Sequence, residues 1–170
     1  IEKFQKKGVK VTADVAPHHI FFNDEDISNY NSNAKVYPPL RSEKNRMEII
    51  EAIKSNIITC ISSDHSPCSS EDKEKDIVHA PFGTISLESA FSLSHTVLTQ
   101  NNCSITDIIK LFTKGPREIV GLCEEPIQVG ANANLVIIDA KEDWIFKESD
   151  IYSKSKNSIA LDVNLKGKVH

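Results

Sequence analysis

Apolar and β-branched residues along the chain gather into short runs divided by polar loops. One such run, Ile57-Ile58-Thr59-Cys60-Ile61-Ser62-Ser63, stops abruptly at Asp64-His65-Ser66-Pro67. Continuous apolar runs of this length suit a strand buried in a parallel sheet. A carboxylate and an imidazole at its end stand where α/β folds carry their chemistry, at the rim of the sheet. An earlier run, Val9-Lys10-Val11-Thr12-Ala13-Asp14-Val15-Ala16, reads as another strand, closed by Pro17 and then His18-His19. Residues 23–34, with the acidic turn Asp24-Glu25-Asp26 and an Asn-rich tail, read as a loop with room for one helical turn. Residues 35–41 are held extended, because Pro38 and Pro39 each push the preceding residue out of the helical region. Ser42 can cap a helix over residues 43–55 whose Met47, Ile50 and Ile53 fall on one face. Helices alternating with strands predict an α/β chain built on a parallel sheet or barrel.

The second half changes character. Residues 69–78 are densely charged and read as a mobile, solvated loop, and His79-Ala80-Pro81-Phe82-Gly83 breaks any regular structure. A helix over residues 87–99 has Leu87, Ala90, Phe91, Ser94 and Leu98 on its inner face. Ser104, with Asp107 three residues on, announces a second helix carrying Ile108, Ile109, Leu111 and Phe112. Gly115-Pro116 stops it, and Pro116 opens a short helix that ends at Gly121. Beyond Gly121, residues 127–130, 133–139 and 144–146 read as short strands, and residues 165–170 as entry into another, a small β layer apart from the α/β part. The predicted division is therefore residues 1–121 and 122–170. Residues 1–8 read as the closing turns of a helix stopped by Gly8, so the chain is expected to be a piece of a longer protein.

Composition narrows the function classes. In 170 residues, 39% hydrophobic content allows a core, and a net charge of -4 offers no basic stripe for nucleic acid. No run is long and apolar enough for a membrane span, and no secretory signal opens the chain. Cys60, Cys68, Cys103 and Cys123 are widely spaced with no CxxC pair, which argues against a zinc knuckle or a disulfide scaffold and points to a reduced, cytoplasmic setting.

Asp64 is the prime candidate for chemistry. Its carboxylate can ligate a metal, and it can also take a proton from water and return it to a leaving nitrogen. Its plainer reading is a cap on its own loop. A catalytic zinc takes about three protein ligands, so Asp64 cannot hold one alone. Adjacent His18 and His19 on an extended segment would point to opposite sides, leaving at most one for a site. His65 reads as orienting its loop by hydrogen bonding rather than as a ligand. His79 and His95 read as structural or exposed, and Cys68 either as a substrate contact on the rim or as a small buried thiol.

Several segments together resemble the carboxyl-terminal portion of a class I dihydroorotase of the amidohydrolase superfamily. They are residues 11–19 (VTADVAPHH), 35–41 (KVYPPLR), 63–67 (SDHSP), 80–83 (APFG) with 87–91 (LESAF), and 153–157 (SKSKN). The resemblance covers nearly the whole chain in order. It implies the last part of a metal-dependent (β/α)8 TIM barrel, with residues 9–16 as the seventh strand and 57–63 as the eighth, plus the carboxyl part of a small β-sandwich. The implied activity is the interconversion of carbamoyl aspartate and dihydroorotate in pyrimidine synthesis. Asp64 is then zinc ligand and general acid/base, and Tyr37, Cys68, Phe82 and Gly83 meet the substrate, the last two through backbone groups.

The family's metal-binding histidines and its bridging carboxylated lysine lie on strands this chain does not contain, so the piece alone is expected not to assemble the two-metal centre. Two positions depart from the family pattern. Tyr37 stands where an asparagine is usual, and Cys68 where a histidine binds the substrate carboxylate. Exchanging that charge-assisted donor for a thiol costs about 1.5–3 kcal/mol of binding. The implied partners are the small-molecule substrate, a second copy as a homodimer, or aspartate transcarbamoylase. Two further readings stay open: a non-catalytic structural or regulatory homologue, and a sister cyclic amidase such as a hydantoinase or allantoinase, against which the APFG and SKSKN segments argue.

Overall fold

The computed structural model of the chain describes residues 1–123 and 126–170. Glu124 and Glu125, which fall in the expected β layer, lie outside the described residues. After a short helix α1 (Glu2–Gln5), strand β1 (Asp14–Val15) pairs in parallel with β2 (Cys60–Ile61), Asp14 opposite Cys60 and Val15 opposite Ile61. Both strands are shorter than the runs that announce them. The crossover between them holds α2 (Pro17–Phe21), two 3-10 turns (Asp24–Tyr30 and Ser32–Ala34) and α3 (Glu43–Lys54).

The histidine pair thus sits on a helix and not at a strand end. Pro17 occupies the first helical position, where its fixed φ and missing N–H suit a helix start. The polar stretch after it is ordered by Asn23, whose side chain accepts from Glu25 N while the Asp26 carboxylate accepts from Asn23 N, both at 2.8 Å.

The charged stretch expected to be mobile contains a capped turn, α4 (Ser70–Lys73), with Ser69 accepting from Asp72 N. Its last residue, Lys73, is buried, and the ammonium donates to Ser32 O and Pro81 O at 2.9 Å each. Three chain segments are thereby stitched together. Helix α5 (Ala90–Gln100) begins three residues later than the periodicity predicts, leaving Leu87 exposed. Helix α6 (Ile105–Phe112) starts from Ser104, whose hydroxyl accepts from Asp107 N, and α7 (Lys114–Ile119) follows. Gly115 in α7 lies against β2's approach, where a Cβ would overlap the Thr59 carbonyl.

Strands β3 (Ile138–Ile145) and β4 (Asn164–Val169) form an antiparallel ribbon with an irregularity between Asp139 and Asp143. The ribbon is not set apart. Phe146 and Leu165 share one core with Leu93 of α5, Ile85 and Val36, while Phe91, Val97 and Leu98 of the same helix enter a second core with Ile20, Ile50, Ile61 and Ile108. Helix α5 is therefore the partition between both cores. His95 fastens it to the ribbon by donating through Nε2 to Ala140 O at 2.9 Å, and Thr96 Oγ1 accepts from Lys166 N at 2.8 Å.

Candidate active site

Asp64, its side chain 45% exposed, stands three residues beyond β2 with φ of 47°, in the left-handed region that aspartate tolerates better than most residues. Strain of this kind, about 1–3 kcal/mol, persists where surrounding structure over-determines it. Two neighbours do so here. His65 Nδ1 accepts from Ser86 N at 3.2 Å and Leu87 N at 3.3 Å, so its proton is on Nε2, and Ser86 Oγ donates to Ser63 O. His65 thus orients the loop through hydrogen bonds.

Facing the carboxylate is His18, fully buried, with Nε2 3.6 Å from Asp64 Oδ2. Neither ring nitrogen has a hydrogen-bond partner. Burial, with the neighbouring His19 adding to it, pushes the imidazole down to about 3, so it is neutral at pH 7. Buried polar groups are nearly always paired, so an orphan imidazole beside a carboxylate makes this pair a candidate site. His19 acts elsewhere, since its Nε2 donates to Pro38 O at 2.9 Å and so holds the loop that carries Tyr37.

The four residues assigned to substrate come together. Tyr37, 75% exposed, meets the exposed Phe82 ring edge to face at 5.7 Å. Cys68 Sγ lies 3.7 Å from Phe82 O, and its half-buried thiol is unpaired with any other cysteine. Gly83 donates to Lys35 O at 2.8 Å and has φ of +126°; a Cβ there would stand 2.6 Å from Ser66 Cβ. Only glycine allows the two loops this approach. Lys35 reaches over the same corner, donating to Val78 O and Ala80 O with its ammonium 4.7 Å from the Phe82 ring centre. A separate cavity of about 470 Å³, lined by residues such as Ile53, Thr59 and Leu111, lies at the other end of β2 from Asp64.

Reading the sequence leaves at most one of His18 and His19 for a site without choosing between them, and it gives Lys35, Lys73 and Asn157 no individual role. For His18 a signal exists, since Pro17 followed by two histidines fits a helix start as well as a strand end; the lysines look like ordinary surface charges. The residues present fit one position of a metal shell and not a whole shell. Asp64 is an accessible carboxylate, yet among the described residues no group of three or more His, Cys, Asp or Glu side chains comes together to hold a metal ion. No helix among the described residues is long and apolar enough to cross a membrane.

Comparison with known proteins gives this arrangement a family. No protein-family model matches the chain. The dihydroorotase of Caldicellulosiruptor saccharolyticus is 43% identical over 162 residues, covering 95% of this chain and 38% of the relative. That of Aquifex aeolicus is 36% identical over 169 residues, covering 99% and 40%. The chain thus spans less than half the length of the curated relatives it matches. The structure overlays the L-hydantoinase (dihydropyrimidinase) of Arthrobacter aurescens with a TM-score of 0.90 at 25% identity, over 99% of this chain and 39% of that one. A dihydropyrimidinase from Brevibacillus agri shares the fold at a TM-score of 0.88 and 17% identity, over 99% and 39%. The α/β part is accordingly a portion of the amidohydrolase (β/α)8 barrel. The chain belongs to the dihydroorotase family of amidohydrolases and matches its carboxyl-terminal portion.

Proposed function

We propose that the protein carrying this chain hydrolyses a cyclic amide, with dihydroorotate and carbamoyl aspartate as the pair interconverted. The observation that carries the reading is the carboxylate of Asp64, in left-handed backbone just beyond β2 and faced by the buried His18. Asp64 takes a proton from the attacking water as oxygen bonds to the amide carbonyl carbon, and delivers it to the ring nitrogen as the C–N bond breaks. Tyr37, Cys68, Phe82 and Gly83 form the substrate-facing rim, with residues 1–121 as the barrel part and 122–170 as the β-sandwich part. Zinc belongs to the complete protein, and Asp64 is one ligand of it. The setting is cytoplasmic, and the partner beyond the substrate is a second copy or aspartate transcarbamoylase.

The test is cyclisation of carbamoyl aspartate by the complete protein loaded with zinc. Asp64→Ala is expected to remove turnover by at least about a thousandfold with the fold intact by circular dichroism. Absence of turnover in the unsubstituted protein with zinc demonstrably bound would overturn the proposal. A second reading, hydantoin hydrolysis, is favoured by the overlay on the L-hydantoinase and by Cys68 standing where a histidine is usual in the dihydroorotase pattern. A substrate panel decides between them by which ring is opened faster.

A further inference from the structure

Asn157, in the carboxyl-terminal segment, is buried, and its amide reaches into the rim described above. Oδ1 accepts from Cys68 N at 3.0 Å, and Nδ2 donates to Ser66 O at 3.0 Å and to Gly83 O at 3.3 Å. Both amide hydrogens are used, each on a different loop. The backbone adds to the tie: Asn157 O accepts from Ile85 N at 2.9 Å and Thr84 Oγ1 at 3.2 Å, and Thr84 Oγ1 accepts from Ile159 N at 3.0 Å. Glu88 holds the same segment from its other end by accepting from Tyr152 N and Ser153 N.

We propose that Asn157 is a positioning residue that sets the distance between the loop bearing Cys68 and the loop bearing Phe82 and Gly83, and thereby the width of the substrate opening. Of the small side chains, only an amide supplies two donors and an acceptor in one plane. An aspartate would set a carboxylate oxygen against two carbonyl oxygens, and an alanine would withdraw the side-chain partner from Cys68 N, Ser66 O and Gly83 O. The long reach matters as well. The partners lie 74 to 91 residues away in sequence, so the carboxyl-terminal segment shapes a rim built by loops far from it along the chain.

The inference rests on the rim residues meeting substrate, and its test separates the two ideas. In the complete protein, the alkylation rates of Cys68 and of the buried Cys60 on β2 are measured by peptide-resolved mass spectrometry, alongside kcat and KM for dihydroorotate. Asn157→Ala is expected to speed alkylation of Cys68 about tenfold while leaving Cys60 unchanged, and to raise KM about fivefold or more with kcat within about twofold. An unchanged Cys68 rate, a rise of Cys60 in step with Cys68, or a fall in kcat at constant KM would each overturn it. Should that variant not fold, Asn157→Asp and hydrogen exchange at the Cys68 amide decide. Protection in the unsubstituted protein that is lost in the aspartate variant supports the tie, and an unprotected amide sinks it. If the unsubstituted protein opens no dihydroorotate, the functional reading fails while alkylation and exchange still judge Asn157.

Discussion

A fully buried imidazole without a hydrogen-bond partner is costly, by about 1–3 kcal/mol for groups of this kind, and His18 carries that cost beside Asp64. Replacing it with an apolar residue of similar volume, His18→Leu, should therefore raise the unfolding free energy by about 1 kcal/mol while lowering kcat/KM. Denaturant titration and kinetics on the same preparation check this, and losses in both would assign His18 to packing alone. Glu43 shows the opposite balance. Hydrogen bonds from Arg46, then from Asn23, bring its carboxyl down to about 2, and Arg46 also donates to Ile20 O, tying α3 to α2. A carboxylate depressed on folding adds stability that is complete above its ordinary value near 4.5 and is lost as pH falls through about 2. Glu43 is half exposed, so the contribution is about 1 kcal/mol or less. Glu43→Gln should flatten the acid limb of the stability profile between those pH values by lowering stability above about pH 4.5, by about 1 kcal/mol or less, while leaving stability near pH 2 nearly unchanged, as read from thermal melts.

Among the elements, helices α3 and α6 were legible because their signals are local: a serine at the N-cap position and apolar residues at helical spacing, although only Ser104 caps with its side chain, Ser42 Oγ turning instead to Asn45 Oδ1. Strands were harder. The run at residues 9–16 reads as eight extended residues, but only Asp14 and Val15 find a partner strand, and a strand exists only where a ladder does. The segment from 127 to 137 carries strand-like residues, yet Ile127, Val129, Leu135, Val136 and Ile137 are exposed and the pairing starts at Ile138. Helix α7 was legible through Pro116, but its close seat on β2 was not. A Cβ at Gly115 would collide with the Thr59 carbonyl, so Gly115→Ala should destabilise by about 2 kcal/mol or more despite the higher helix propensity of alanine. Urea unfolding of the variant measures it, and a gain in stability would refute the contact.

At the scale of the whole molecule, α5 divides two cores and joins the β3–β4 ribbon to the barrel part. Leu93 and Phe146 belong to one core although one lies on the helix and the other after β3. Leu93→Ala and Phe146→Ala should therefore be non-additive, with a coupling of about 0.5–3 kcal/mol in a double-mutant cycle; strict additivity would mean the two parts are energetically separate. What depends on neighbours along the chain was legible from the residues alone: the α/β alternation, the starts of α3 and α6, Asp64 just past a strand, and the motifs that place the chain in its family. Tertiary structure decided what depends on residues brought from afar. It put His18 against Asp64 across 46 positions, buried Lys73 out of a stretch that reads as solvated, and ran Asn157 under both rim loops. Helical period and capping act over about four residues, whereas desolvation and hydrogen-bond satisfaction are settled only when distant segments close around a group.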